Sequence, residues 1–161
     1  MWANKRIFLR PVAMSDLPYL LKWENDPSNW EVSGTTAPFS DEEMINFIVE
    51  QTYFLATGQL RLMICLSKKS TPIGAIDLFD INVETKSAGV GILIQDKKHR
   101  GKGYAKEALS TLIDLSKMEL KLARLTCSIQ QENTASLALF KQLGFIKTSS
   151  NQIVDDFELQ F

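Results

Sequence analysis

Between residues 88 and 129 the hydrophobic pattern changes from strand to helix and back to strand. Ala88–Ile94 reads AGVGILI, a strand-like run. From Ala105 the less polar positions fall at Ala105, Ala108, Leu109, Leu112, Ile113 and Ser116, the i, i+3, i+4, i+7, i+8 spacing of one helix face. Arg124–Ile129 is strand-like again. A strand-helix-strand unit closes by a right-handed crossover between parallel neighbours, so this segment demands a parallel pair somewhere in the sheet. The preceding strand-like runs, Leu60–Leu66 and Ile73–Phe79, are joined to each other and to Ala88–Ile94 by turns containing Lys68–Pro72 and Asn82–Ser87. Connections this short predict an antiparallel meander. Parallel and antiparallel pairing must therefore coexist in one sheet.

The flanks complete the order. Lys5–Arg10 alternates and stops at Pro11, a first strand. Ser15 precedes a helix over residues 16–26, with Pro18 in its first turn and an end near Asp26-Pro27. Ser40 and Glu43 form a capping box ahead of a second helix, which Gly58 stops. Asn133–Leu143 is a compact helix closed by Gly144, and Phe145–Thr148 and Ile153–Phe161 form a terminal strand pair. The order β-α-α-β-β-β-α-β-α-β-β predicts an α+β fold, a mixed and mostly antiparallel sheet with flanking helices, in one domain over residues 1–161.

Composition excludes several functions. The net charge of −1 gives no overall pull toward nucleic acid or an anionic membrane. No apolar run reaches the roughly 18 residues of a membrane span, and the N-terminal sequence lacks a signal-peptide pattern, so a cytoplasmic protein is expected. Cys65 and Cys127 belong to no CxxC pair and sit in apolar runs, as buried free thiols do. With His99 as the single histidine, neither a Ser-His-Asp triad nor a multi-histidine metal centre can be built, and no metal is expected.

Residues 95–105, QDKKHRGKGYA, join the strand to the helix of the crossover unit. Gly101 and Gly103 let the backbone turn tightly and approach a ligand. The helix start offers unpaired N–H groups and a positive dipole end, and Lys97, Lys98, Arg100, Lys102 and Lys106 add cations. Together they describe a phosphate cradle; the plainer role is an exposed basic turn. Neither a P-loop nor a dinucleotide-binding glycine fingerprint is present.

Arg100-Gly101-Lys102-Gly103-Tyr104-Ala105 resembles the acetyl-CoA signature of the GNAT superfamily of N-acetyltransferases, and Asn133 to Phe145 is similar to that family's second conserved segment. The N-terminal LRP…DLPYLLKWENDPSNW resembles the branch of spermidine and ribosomal-protein N-terminal acetyltransferases. The resemblance implies a GNAT-like fold with acetyl-CoA as co-substrate. It implies that the amides of Arg100, Gly101, Lys102, Gly103, Tyr104 and Ala105 hold the CoA pyrophosphate. By the same resemblance, Leu93 and Ile94 pair through their backbone with the pantetheine arm, and Asn133, Phe140 and Lys141 border the cofactor. Asn133 also suits an N-cap, and Tyr104 suits packing on the helix start.

Two positions depart from the family pattern. Gly89 stands where relatives often carry a glutamate, a candidate base, and Phe140 stands where many carry a tyrosine that protonates the departing thiolate. A thiol with pKa around 8.5 leaves tolerably without acid help, so the second loss weighs less. Asp80 is the first remaining carboxylate candidate for substrate contact or water-mediated base, Asp77 the second; regular alternation would point them to opposite faces. Either also suits a solvated strand end.

Charge is unevenly distributed. Residues 23–60 contain seven acidic residues and no Lys or Arg, which leaves +6 on the rest. Asp41, Glu42 and Glu43 suit a helix N-terminus. Glu24, Asp26, Glu31 and Trp30 are candidates for an acceptor site, because carboxylates beside aromatic rings suit an alkylammonium group. Trp23 and Trp30 also suit plain packing. The expected function is direct, acetyl-CoA-dependent transfer to a primary amine: a small cationic amine such as a polyamine, or alternatively a protein N-terminus. A catalytically weakened CoA-binding regulatory module is the competing class. Expected partners are a small amine or peptide N-terminus, with no nucleic acid and no membrane; a homo-oligomer stays open.

Overall fold

Leu60, Leu62 and Ile64 alternate with Arg61, Met63 and Cys65, and a strand sends two such sets to opposite faces. The computed structural model describes residues 1–161 except for the side chains of Glu31, Val32 and Ser33. Among the described residues, eight strands form one sheet: β1 (Trp2–Ala3), β2 (Ile7–Pro11), β3 (Leu60–Leu66), β4 (Pro72–Asn82), β5 (Ser87–Ile94), β6 (Arg124–Gln130), β7 (Ile146–Ser150) and β8 (Val154–Gln160). Their spatial order is β1-β2-β3-β4-β5-β6-β8-β7. The helices are α1 (Leu17–Glu24), α2 (Pro27–Ser33), α3 (Asp41–Glu50), α4 (Phe54–Thr57), α5 (Tyr104–Met118) and α6 (Thr134–Gln142).

Alternation sorts the core into two clusters. Ile7, Leu9, Leu62, Ile76, Leu78 and Val90 join Leu109 and Leu112 of α5 in the larger one. Phe8, Met63 and Cys65 meet Leu20 of α1 and Met44 and Ile48 of α3 in the smaller. Arg61 has the parity of Met63 and Cys65, so β3 delivers its guanidinium to the face beneath α1 and α3.

The crossover produces the expected parallel pair, but a short one. Only Ser87–Gly89 of β5 pair with Arg124–Thr126 of β6. Beyond Gly89, β5 stays paired with β4 as far as Ile94, and β6 stays paired with β8 as far as Gln130. The two halves of the sheet therefore part between β5 and β6.

Several elements differ from the sequence-based expectation. Residues 27–33 form α2, capped by the Asp26 carboxylate on the Ser28 amide and ended by Gly34 at φ +72°. The helix begun at Ser40 has its capping box with Glu43 but breaks at Glu50 into a 3₁₀ turn and α4. The two-residue β1 is too short to carry a pattern.

Candidate active site

The parting of β5 from β6 opens a cleft of about 680 Å³, walled by Val90, Gly91 and Ile92 on one side and by Cys127, Asn133 and Phe140 on the other. Asn133 also caps α6, accepting from the Ser136 amide at 3.1 Å. Phe140 is buried edge-on against Phe145, with ring centroids 4.9 Å apart. Leu93 and Ile94 pair with Ala75 and Gly74 on the β4 side, which leaves their other edge outside any ladder. Lys141 is exposed with Nζ 5.8 Å from the Phe157 ring, and it does not line the cleft.

The loop after β5 is held from both ends. Arg100 Nε donates to the Ile94 carbonyl at 2.7 Å, so this side chain folds back onto the strand it follows. Gly101 and Gly103 have φ of +70° and +82°. Gly103 is the N-cap of α5 and offers no side-chain cap, so the first amides of a 15-residue helix stay open. Lys102 is exposed, and Ala105 packs on the core. Tyr104 lies between the Arg6 guanidinium, 4.9 Å from its ring centroid, and the His99 ring at 5.9 Å. Arg6 is bonded to Glu107 at 2.5 Å, and a Cβ on Gly103 would stand 3.0 Å from Arg6 Nη2. A cation delivered by the N-terminal segment thus sits beside the open helix start; nothing near residue 100 in sequence announces it.

A second cavity, of about 500 Å³, lies beneath α1–α3 and is lined by Glu24, Phe47, Arg61, Asp77, Gly91 and Gln95 among others. Arg61 organises it. Its Nε and Nη2 donate to the two oxygens of Asp77, each at 2.7 Å, and its Nη1 donates to Glu24. The guanidinium lies 5.0 Å from the Phe47 ring centroid and its side chain is only 14% exposed. Burial works against its charge, yet Asp77 and then Glu24 more than offset this and raise its pKa above the ordinary arginine value. Two carboxylates against one guanidinium leave this cluster one charge negative. Arg61 directly follows the acidic stretch, and its partner Asp77 faces it only through the β3–β4 register. The signal available was a lone charge at an inward position of LRLMICL.

The other acceptor-side candidates are placed differently. Trp30 Nε1 donates to the Glu24 carbonyl at 2.7 Å and so ties α2 to α1. The side chain of Glu31 lies outside the described residues. Asp26 is an exposed helix cap outside the cavity; the Ser28 hydroxyl and amide hold its carboxyl below the ordinary range, with Lys97 and Arg100 adding to the effect. Asn29 is buried and donates to Gln95 at 2.7 Å, joining α2 to the start of the basic loop. Asp80 sits where the β4–β5 register shifts, at φ +50°, exposed and lining neither cavity. The regular alternation assumed for Asp77 and Asp80 fails at that bulge.

Both cysteines are buried and free. Burial, helped by Asp156, pushes the Cys127 thiol up to about 12, so in the cleft wall it stays a protonated thiol near neutrality. Among the described residues no group of His, Cys, Asp and Glu could hold a metal ion, and no helix is long and apolar enough to cross a membrane.

The sheet thus splits at a short parallel pair, next to a glycine-rich loop that feeds an uncapped helix. Residues 6–146 match the acetyltransferase (GNAT) domain, and the chain belongs to that family of N-acetyltransferases. The uncharacterized N-acetyltransferase p20 of Bacillus licheniformis is 30% identical over 146 residues, covering 89% of this chain and 81% of that protein. The spermidine N(1)-acetyltransferase of Vibrio cholerae is 29% identical over 157 residues, covering 96% and 86%. The crystal structure of spermidine N-acetyltransferase from Vibrio cholerae in complex with CoA and spermine superposes with a TM-score of 0.85 at 21% identity, over 98% of this chain and 96% of that one. That last likeness is one of fold.

Proposed function

We propose that this N-acetyltransferase uses acetyl-CoA and passes the acetyl group directly to a primary amine, with a small cationic amine such as a polyamine as acceptor. One observation carries the reading: the cleft and the acidic cavity share Phe79, Gly91 and Ile92, so a thioester along β5 and an amine beneath α1–α3 would meet over Gly91. The residues fit the co-substrate. The amides of residues 100–105 and the positive end of α5 suit a pyrophosphate. The free edge of β5 suits the amide-bearing pantetheine arm, and an N–H there would polarise the thioester carbonyl.

The amine nitrogen attacks the carbonyl carbon, a C–N bond forms, the C–S bond breaks, and sulfur departs as thiolate. A lysine-like amine is neutral in only about one part in a few thousand at pH 7, so the acceptor must lose a proton first. Asp77 and Glu24 attract the ammonium and receive its proton through water. Glu24 gives one oxygen to Arg61, and its other has no hydrogen-bond partner among the described residues. A protonated Cys127 is a poor acyl carrier, which favours direct transfer.

Release of free CoA thiol from acetyl-CoA, measured with spermidine, small monoamines and N-terminal peptides, tests the proposal. Turnover with spermidine supports it. Turnover with peptides alone moves the acceptor class to protein N-termini. Tight CoA binding without turnover across the panel leaves a CoA-binding module.

A further inference from the structure

Gly89 and Gly91 leave the face of β5 under α1–α3 without side chains at two consecutive inward positions. Their β4 partners are Phe79, opposite Gly89, and Asp77, opposite Gly91. The Phe79 ring occupies the space that a residue at 89 would need: a Cβ there would lie 2.2 Å from its Cε2 and 2.5 Å from its Cζ. At Gly91 the nearest atom to such a Cβ is Phe79 Cε1, at 3.8 Å, so the ring ends beside an open space. Phe79 is nevertheless 39% exposed and lines both cavities.

We propose that Phe79 is the specificity-determining residue of the acceptor site, its ring forming the aromatic wall against which the acceptor ammonium rests beside Asp77. The inference rests on the amine-acceptor reading above. Two residues apart on one face of β4, the Asp77 carboxylate and the Phe79 ring stand roughly 7 Å apart at their Cα atoms, a gap that an ammonium group can bridge. The cavity already contains one cation held in this way, since Arg61 lies between the carboxylates of Asp77 and Glu24 and over the Phe47 ring. An incoming alkylammonium finds the same pair of features a few ångströms along the strand. Gly89 belongs to this arrangement, because any side chain there would displace the ring.

The test is equilibrium binding of spermidine to the CoA-loaded protein, with CoA affinity measured alongside. Phe79→Leu keeps an apolar side chain but removes the π face; it should weaken spermidine about five- to tenfold and leave CoA affinity within twofold. Phe79→Tyr keeps the face and should bind within twofold of the parent. Gly89→Ala, which must push the ring aside, should weaken spermidine in the same direction. Unchanged spermidine affinity in Phe79→Leu overturns the proposal while the acceptor class stands. Loss of CoA affinity instead of spermidine affinity would assign the ring to the cofactor cleft and also overturn it. A parent protein that binds CoA but no spermidine refutes the amine-acceptor reading, and the role of Phe79 falls with it.

Discussion

The two sides of the β5 strand are built by opposite means. On the side proposed for the cofactor, contiguous backbone predominates: residues 95–105 supply the glycine turns, the basic charges and the open first turn of α5. On the side proposed for the acceptor, single side chains from α1, α3, β3 and β4 converge, and Arg61 binds Glu24 and Asp77 from 37 and 16 residues away. A site made of backbone depends on φ angles and local sequence. A site made of converging charges depends on register and on every partner being present.

The largest effect should come from breaking the converging side. Arg61→Ala leaves two poorly solvated carboxylates without their cation and should cost about 3 kcal/mol of stability in urea unfolding. A loss under about 0.5 kcal/mol would mean that this ion-pair cluster is better solvated than its exposure suggests. Gly91→Val attacks the meeting point. Position 91 is unstrained and open, so melting should hold while acetyl transfer falls about 10²-fold, the cost of misplacing reacting groups by about an ångström. A valine variant with parental rates would move the reaction away from Gly91.

On the cofactor side, Gly101→Ala and Gly103→Ala both force a side chain into positive φ, at about 1–2 kcal/mol each. Only the second also presses on Arg6, whereas Gly101 has open space around it. Gly103→Ala should therefore lose more CoA affinity than Gly101→Ala in calorimetry. Equal losses would show that Arg6 plays no part. The smallest effect concerns Cys127. With its thiol near 12, alkylation of Cys127, followed by peptide mapping of the folded protein, should rise about tenfold per pH unit from 8 to 11. A plateau near pH 9 would mean an ordinary thiol and would reopen covalent acyl transfer.

The same contrast explains what the sequence made legible. The glycine-rich loop at 95–105 and the Asn133 cap are each written within a dozen or so consecutive residues, and the crossover unit within about forty, where periodicity and glycine placement act directly. Arg61, Phe79 and Asn29 meet their partners at 77, 89 and 95 only through pairing and packing. The facing of Asp80 is not legible from alternation, because a bulge interrupts the strand there. Around Asp26 the charge is conspicuous in the sequence, yet Asp26-Pro27 and Gly34 spell a short capped helix. Gly89 stands out as a missing carboxylate in the sequence; in the structure it is the floor under the Phe79 ring.

Direct transfer requires the thioester and the amine to be present together where the two cavities meet. Initial velocities of thiol release, measured while acetyl-CoA and spermidine are both varied, test this most directly. Double-reciprocal lines that intersect are predicted for transfer within a ternary complex. Parallel lines, together with acetylated protein isolated in the absence of amine, would contradict it.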